Sequence, residues 1–205
     1  MSPKNLYQKP VFLPLLMISL ATLLFFPIPI ADASRSNDAV QFVYTSCENT
    51  SHVNLCFSTL SPYAFTIKKK SDKLAQISLS VTLSKANQTA AYITKLSRQM
   101  NSTQGSYTRA ITALTRCQLP FAVVLTQLRI ANKLMDNSDN PSIHISKDKL
   151  RKVITSLGLA YIFETICMGR RSDLNRVQMK PNVVTEITEV GRFISISTDL
   201  TKKLI

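Results

Sequence analysis

The sequence predicts an all-α protein: an up-down-up-down four-helix bundle preceded by an N-terminal helical hairpin, with two disulfides. Three observations carry this prediction. Apolar residues recur three or four apart through four runs of roughly 20 to 30 residues, the spacing of one buried helical face. The junctions between the runs are short and hold helix breakers such as Pro62, Gly105 and Pro141. The cysteines form an even set of 4 in a chain of 205 residues that has no Trp and only 4 Gly.

The chain opens on a leader. Met1 to Pro10 carries Lys4 and Lys9 and no acid, and the run VFLPLLMISLATLLFFPIPI that follows is almost purely apolar. It ends at Ala31-Asp32-Ala33, the small-x-small form that a signal peptidase cleaves. Residues 1–33 are expected to be a cleaved secretory signal, and 34–205 the mature domain. Pro14, Pro27 and Pro29 break the run and argue against an uncleaved anchor, and no later segment is expected to be apolar enough to span a membrane.

Export changes how the cysteines are read, because an oxidising compartment favours disulfides over free thiols. Cys47, Cys56, Cys117 and Cys167 allow three pairings. Cys47 with Cys56 is the cheapest local closure, which leaves Cys117 with Cys167 to join distant elements. A zinc site drawing on His52 or His144 matches no finger spacing, so neither metal nor cofactor is expected. Asn49, Asn87 and Asn101 each begin an N-glycosylation tripeptide.

Residues 38–70 read as the hairpin. Val40–Ser46 and Val53–Tyr63 are helical pieces too short to be stable alone, since isolated helices below about 12 residues are marginal. A disulfide across their turn stands in for a core that the hairpin is too small to make.

Residues 73–204 read as the bundle. The first run places Leu74, Ile77, Val81, Ala86, Ala90, Ile93, Leu96 and Met100 along one stripe. The second has the cleanest period, with Tyr107, Ile111, Leu114, Cys117, Phe121, Val124, Leu128, Ala131 and Met135. Pro120 lies inside it and should kink or split the rod after Cys117, because proline removes a backbone donor. In the third run, Ser146 to Met168, the stripe is Leu150, Val153, Ile154, Leu157, Tyr161, Glu164 and Met168. The fourth, from about Val177 to Leu204, contributes Val184, Ile187, Val190 and Ile194. Short connections between such helices make the up-down-up-down bundle the economical packing.

The formal net charge is +13, or +12 once Lys4, Lys9 and Asp32 leave with the signal. Nucleic acid is a poor fit, for there is no Arg/Gly-rich tract and no aromatic-interleaved basic strand. Acidic polysaccharide, anionic lipid or an acidic protein surface suits the charge better. Catalysis has little to stand on. His52 and His144 lack a nucleophile or carboxylate at a telling spacing, and no Gly-rich phosphate loop or G-x-S-x-G elbow occurs. Glu164, the one acid on a buried stripe, has no partner carboxylate there for acid–base work; a structural hydrogen bond or a partly exposed edge is expected for it.

The strings CENTSHVNLC, FSTLSPYA, LAQISLSVTLSKANQTAAYITKL, ITALTRC, TSLGLAYIFETICMG and EITEVGRFIS, taken in that order, resemble the plant invertase and pectin methylesterase inhibitor family. The resemblance covers residues 40–205 and is strongest in the cysteine frame. It implies a bundle preceded by a helical hairpin, bonds paired first to second and third to fourth, and inhibition of a cell-wall enzyme by occlusion without chemistry. Departures bear on the target. Ser51-His52-Val53 stands where many members have Tyr-Pro, and Arg116 where an acid precedes the third cysteine. Pro141-Ser142-Ile143 stands where invertase inhibitors carry Pro-Lys-Phe. KANQTAAYITKL and EVGRF look closer to invertase inhibitors, LGLAYIFETICMG to inhibitors of pectin methylesterase. Pectin methylesterase is the expected target and invertase the alternative, with weak binding to acidic pectin beside it. Expected contacts are Thr112, Arg116, Arg129 and Lys133 outside the second stripe, and Pro141, Ser142, Ile143 and His144 at the following junction. A basic polysaccharide- or membrane-binding defence protein is the alternative from another class, and a detached pro-region of a larger esterase is a third reading.

Overall fold

The computed structural model describes residues 31–101, 108–136, 145–169, 171–175 and 182–205, and all regular structure among them is helical. The chain divides into two compact units, Met1–Arg35 and Ser36–Ile205. The leader predicted over residues 1–33 lies outside the described residues up to residue 30. The second unit holds the hairpin from Ser36 onward and the bundle.

The hairpin is built from α1 (Ala31–Cys47) and α2 (Val53–Leu60). The first helix is already formed at Ala31, where the described residues begin, upstream of the predicted Val40. Cys47 and Cys56 are bonded across the turn with Cα atoms 5.7 Å apart. Val43 and Leu60 are buried with them, and Tyr44 meets Phe57 edge to face at 5.5 Å. A 3-10 turn with Pro62 (Ser61–Tyr63) leads into α3 (Ala64–Ile67). Lys68 and Lys69 then take left-handed backbone at φ 52° and 57°, which ends the helix in an exposed basic corner.

The bundle consists of α4 (Ser71–Asn101), α5 (Thr108–Met135), α6 (Lys147–Met168) and α8 (Val183–Lys202), with the short α7 (Arg171–Leu174) between the last two. Local chemistry sets the starts of α6 and α8. Ser146 Oγ accepts from the Lys149 amide, and Asn182 Oδ1 accepts from the Val184 amide at 2.9 Å. That cap puts the start of α8 at Val183, later than the predicted Val177.

Helix directions follow from the cross-contacts. Ser80 bonds Asn132 and Ser97 bonds Thr115, so α4 and α5 run antiparallel. Cys117, early in α5, is bonded to Cys167 at the end of α6, with Cα atoms 4.8 Å apart. Glu164 faces Gly191 and Met168 faces Thr188, which sets α6 against α8. The ring closes where Ser78 and Thr82 meet Ser197 at 2.7 and 2.9 Å, and where Lys85 bridges Glu186 and Glu189. Burial pulls the Lys85 pKa down, but the bonds to Glu189 and Glu186 outweigh it and the net shift is upward. Ser51 donates its amide and hydroxyl to Asp199 Oδ2 at 2.8 and 2.7 Å, and Lys203 Nζ donates to the Ser46 carbonyl, tying the hairpin to the end of α8.

Three expectations need correction. Pro120 does not split the second rod, for α5 runs unbroken from Thr108 to Met135 with the proline inside it. Tyr161 is not a core residue but 46% exposed, turned toward the flank shared with α8. Glu164 is neither at an edge nor hydrogen-bonded: it is 5% exposed and has no hydrogen-bond partner among the described residues. Burial raises its pKa from 4.5 to about 7.

Candidate functional site

Helix α5 is apolar on two sides, and this gives the molecule its most distinctive surface. Its core face holds Leu114, Cys117, Phe121, Val124, Leu128, Ala131 and Met135, all buried. A second line, Thr112, Arg116, Leu119, Val123, Thr126 and Ile130, repeats at alternating steps of four and three residues and so forms one seam along the helix. Leu119 is 75% exposed and Ile130 41%. The expectation that no segment after the leader is apolar enough to span a membrane also fails here. Arg109–Met135 meets that test by length and composition, with a mean hydropathy of 1.2. The cause is the double apolar face, one side in the bundle core and the other bare.

Helix α6 has a matching seam. Lys152, Thr155, Leu159, Ile162 and Ile166 recur at steps of three and four, and the last three are exposed. Both seams face outward on neighbouring helices. On α5, Thr115, Arg129 and Asn132 reach α4. On α6, Gly158 and Tyr161 line the side toward α8. Each seam lies on the outward face of its own helix, nearly opposite the core stripe, and the Cys117–Cys167 bond pins the two helices together near one end.

The charge on the two helices is mostly of one sign. Helix α5 carries Arg109, Arg116, Arg129 and Lys133 and no acid. Helix α6 carries Lys147, Lys149, Arg151 and Lys152 against the buried Glu164 and Asp148, and Asp148 pairs with Arg151 at 3.0 Å. Exposed apolar lines that also carry Arg116 and Lys152 suit a partner whose surface is apolar at the centre and acidic at the edge.

The residues singled out in the sequence fall into three groups. Thr112 and Arg116 are exposed on the α5 seam. Arg129 and Lys133 are exposed one turn apart on the flank toward α4, where Arg129 Nη2 donates to Asn87 Oδ1 at 3.3 Å. Pro141, Ser142, Ile143 and His144 lie outside the described residues. Sequence reasoning missed Leu119, Val123, Ile130, Leu159, Ile162 and Ile166; their signal was a second apolar line left over once the core stripe was assigned. Among the glycosylation acceptors, Asn49 sits on an exposed turn. Asn87 is exposed, yet its Thr89 is fully buried with an unpartnered hydroxyl among the described residues. The Asn101 side chain lies outside the described residues.

Among the described residues no cluster of three or more His, Cys, Asp or Glu could hold a metal. A disulfide-fastened bundle with exposed apolar lines on two neighbouring helices has the kind of surface found in proteins that bind other macromolecules. The particular family is shown by a family model, plant invertase/pectin methylesterase inhibitor, that matches residues 41–200. The chain belongs to this family, whose members inhibit enzymes and are not enzymes themselves.

Among its relatives is pectinesterase inhibitor 10 of Arabidopsis thaliana, 27% identical over 157 residues, a match that takes in 76% of this chain and 48% of that protein. The chain thus spans about half the length of that relative. The 21 kDa protein of Daucus carota is 26% identical over 183 residues, covering 87% of this chain and 91% of the carrot protein. The crystal structure of mutant form A of a pectin methylesterase inhibitor from Arabidopsis superposes with a TM-score of 0.57 at 17% identity, over 78% of this chain and 95% of that one. That likeness shows the shared fold.

Proposed function

We propose that the protein is a secreted inhibitor of pectin methylesterase, and that its α5–α6 face closes over the enzyme's substrate cleft. The observation that carries this reading is the pair of exposed apolar seams on two disulfide-linked helices, which also carry Arg116 and Lys152. Burying that strip in a standard interface of about 1,600 Å² would exclude a polymeric substrate without any chemistry by the inhibitor. Arg116 and Lys152 would pair with acids at the rim of the partner's cleft, and Thr112 would add a polar contact. Arg129 and Lys133, on the far flank, contribute through the general field and not through contact.

Two points favour the esterase over invertase. Relatives named as pectinesterase inhibitors from Arabidopsis match this chain. Pro141-Ser142-Ile143 also lacks the cation and aromatic ring of the Pro-Lys-Phe triplet of invertase inhibitors. Residues 1–33 would direct export to the cell wall, where both disulfides persist, and Asn49 is the acceptor best placed for a glycan.

The test compares inhibition of pectin methylesterase and of acid invertase at equal inhibitor concentration, for the wild type and for Leu119→Glu and Ile162→Glu. Both positions are exposed, so the fold should tolerate either change. The wild type should inhibit the esterase alone, and each variant should lose at least about tenfold in affinity, as expected for an interface anchor. Variants that inhibit as well as the wild type would remove the docking face from this account. Inhibition of invertase alone would reverse the target.

A further inference from the structure

On the flank of α6 that turns toward α8, the two helices leave a cleft of about 230 Å³ whose hairpin end is bordered by Ser51. Its lining is mixed in a particular way. Leu157 and Ile194 supply buried apolar surface, and the half-exposed Tyr161 supplies an aromatic ring with a hydroxyl. Asp199 uses Oδ2 for both bonds from Ser51, while Oδ1 takes no bond among the described residues. Lys202 is exposed and has no ion pair among the described residues.

Gly158 lies on the wall of the cleft. Glycine inside a helix is unfavourable relative to alanine, and a packing reason would normally account for it. There is none here, because a Cβ built at Gly158 meets nothing within 4 Å. Gly158 is exposed and lines the cleft, so a side chain there would project into open space at its edge.

We propose that this cleft binds a single acidic sugar ring, a hexuronate unit at the end of or within an oligosaccharide. The apolar face of the ring would lie on Tyr161 and Leu157, its hydroxyls would donate to Asp199 Oδ1, and its carboxylate would pair with Lys202. Other ligand classes use only part of this set. A purely apolar ligand would make no use of Asp199 Oδ1 or Lys202. An inorganic anion would meet the Asp199 carboxylate and make no use of the ring. A neutral sugar would leave Lys202 idle. The volume lies below the roughly 300 Å³ at which pockets for drug-sized ligands begin, so one ring is what it can enclose. The proposal stands apart from the docking face, which lies on the outward side of α6.

The test is an amide-resolved NMR titration of the disulfide-bonded protein with trigalacturonate, with its fully methyl-esterified form and with polyglutamate. Trigalacturonate should shift the amides of Gly158, Tyr161 and Lys202, with a Kd on the order of millimolar. The methyl ester, which lacks the carboxylate charge, should bind about tenfold more weakly, as should Lys202→Gln and Tyr161→Ala with the acid, in line with loss of one charge-assisted bond or one ring contact. Gly158→Ala should also weaken binding while raising the melting temperature, an outcome that misfolding cannot produce. The proposal is overturned if trigalacturonate causes no shifts in the cleft, if polyglutamate shifts the same amides equally, or if the three variants bind like the wild type.

Discussion

Between α6 and α8, the Glu164 carboxyl lies directly over the backbone of Gly191. A Cβ at residue 191 would come within 3.0 Å of Glu164 Cδ and 3.1 Å of both its oxygens. The glycine is what lets the carboxyl fit. The two pKa values of Glu164, 4.5 when solvated and about 7 in the fold, fix a sign. Between them the folded state binds the proton more tightly than the unfolded state, so stability falls as pH rises from about 4.5 to 7 and levels off above. The loss is on the order of 3 kcal/mol. Urea unfolding at pH 5 and pH 8 should show the wild type weaker at pH 8, and Glu164→Gln should remove most of that difference. A wild type equally stable at both values would show that the carboxyl is not held neutral. Gly191→Ala should cost about 1 to 3 kcal/mol by overpacking, and less in a Glu164→Ala background, because the clash partner is then gone. The sequence showed an acid on a buried stripe. It could not show that the residue opposite is a glycine with nothing to donate, because that depends on the register of α8 against α6.

Helix α5 shows which parts of an element can be read from a sequence and which cannot. Its core stripe was legible almost residue for residue, because a clean three-four period has one solution on a straight helix. The second seam was not, since a single chain does not reveal which of two apolar lines will be covered by neighbours. The α4–α8 contact was obscured for another reason: Ser78, Thr82, Ser197 and Thr201 occupy core positions, and their burial is offset by hydrogen bonds to one another's hydroxyls and to backbone carbonyls. Pro120 stands between the two faces of α5, following Leu119 of the seam and preceding Phe121 of the core. It has no amide to donate to the Arg116 carbonyl. Pro120→Ala restores that donor and should raise stability by up to about 3 kcal/mol, the usual penalty of a proline inside a helix. Because Arg116, Leu119 and Val123 flank it, the same change should alter the curvature of the seam and weaken inhibition of the esterase. Thermal unfolding and inhibition measured on one preparation check both halves. A variant that gains stability and inhibits unchanged would detach the proline from the docking face.

At the scale of the whole molecule, a net charge of +13 and the exposed apolar seams make opposite claims about what drives association. If the charge dominates, binding is long-ranged and collapses in salt; if the seams dominate, packed contacts persist. The Debye length is near 10 Å at 0.1 M salt, so exposed cations such as Arg129 and Lys133 lose most of their reach well below physiological strength. Contacts made by Leu119, Ile130, Leu159, Ile162 and Ile166 are screened little, since they carry no charge. Raising salt from about 0.05 to 0.3 M should therefore slow association markedly and change dissociation little, leaving affinity for pectin methylesterase reduced by no more than about tenfold. Arg116→Gln should flatten the salt dependence, because one cation is removed, whereas Leu119→Glu should lower affinity at every salt concentration. Surface plasmon resonance on the immobilised esterase separates the two rates. Loss of nearly all binding over that range, together with equal capture by immobilised polyglutamate, would assign the interaction to charge alone and leave the exposed apolar seams without a role.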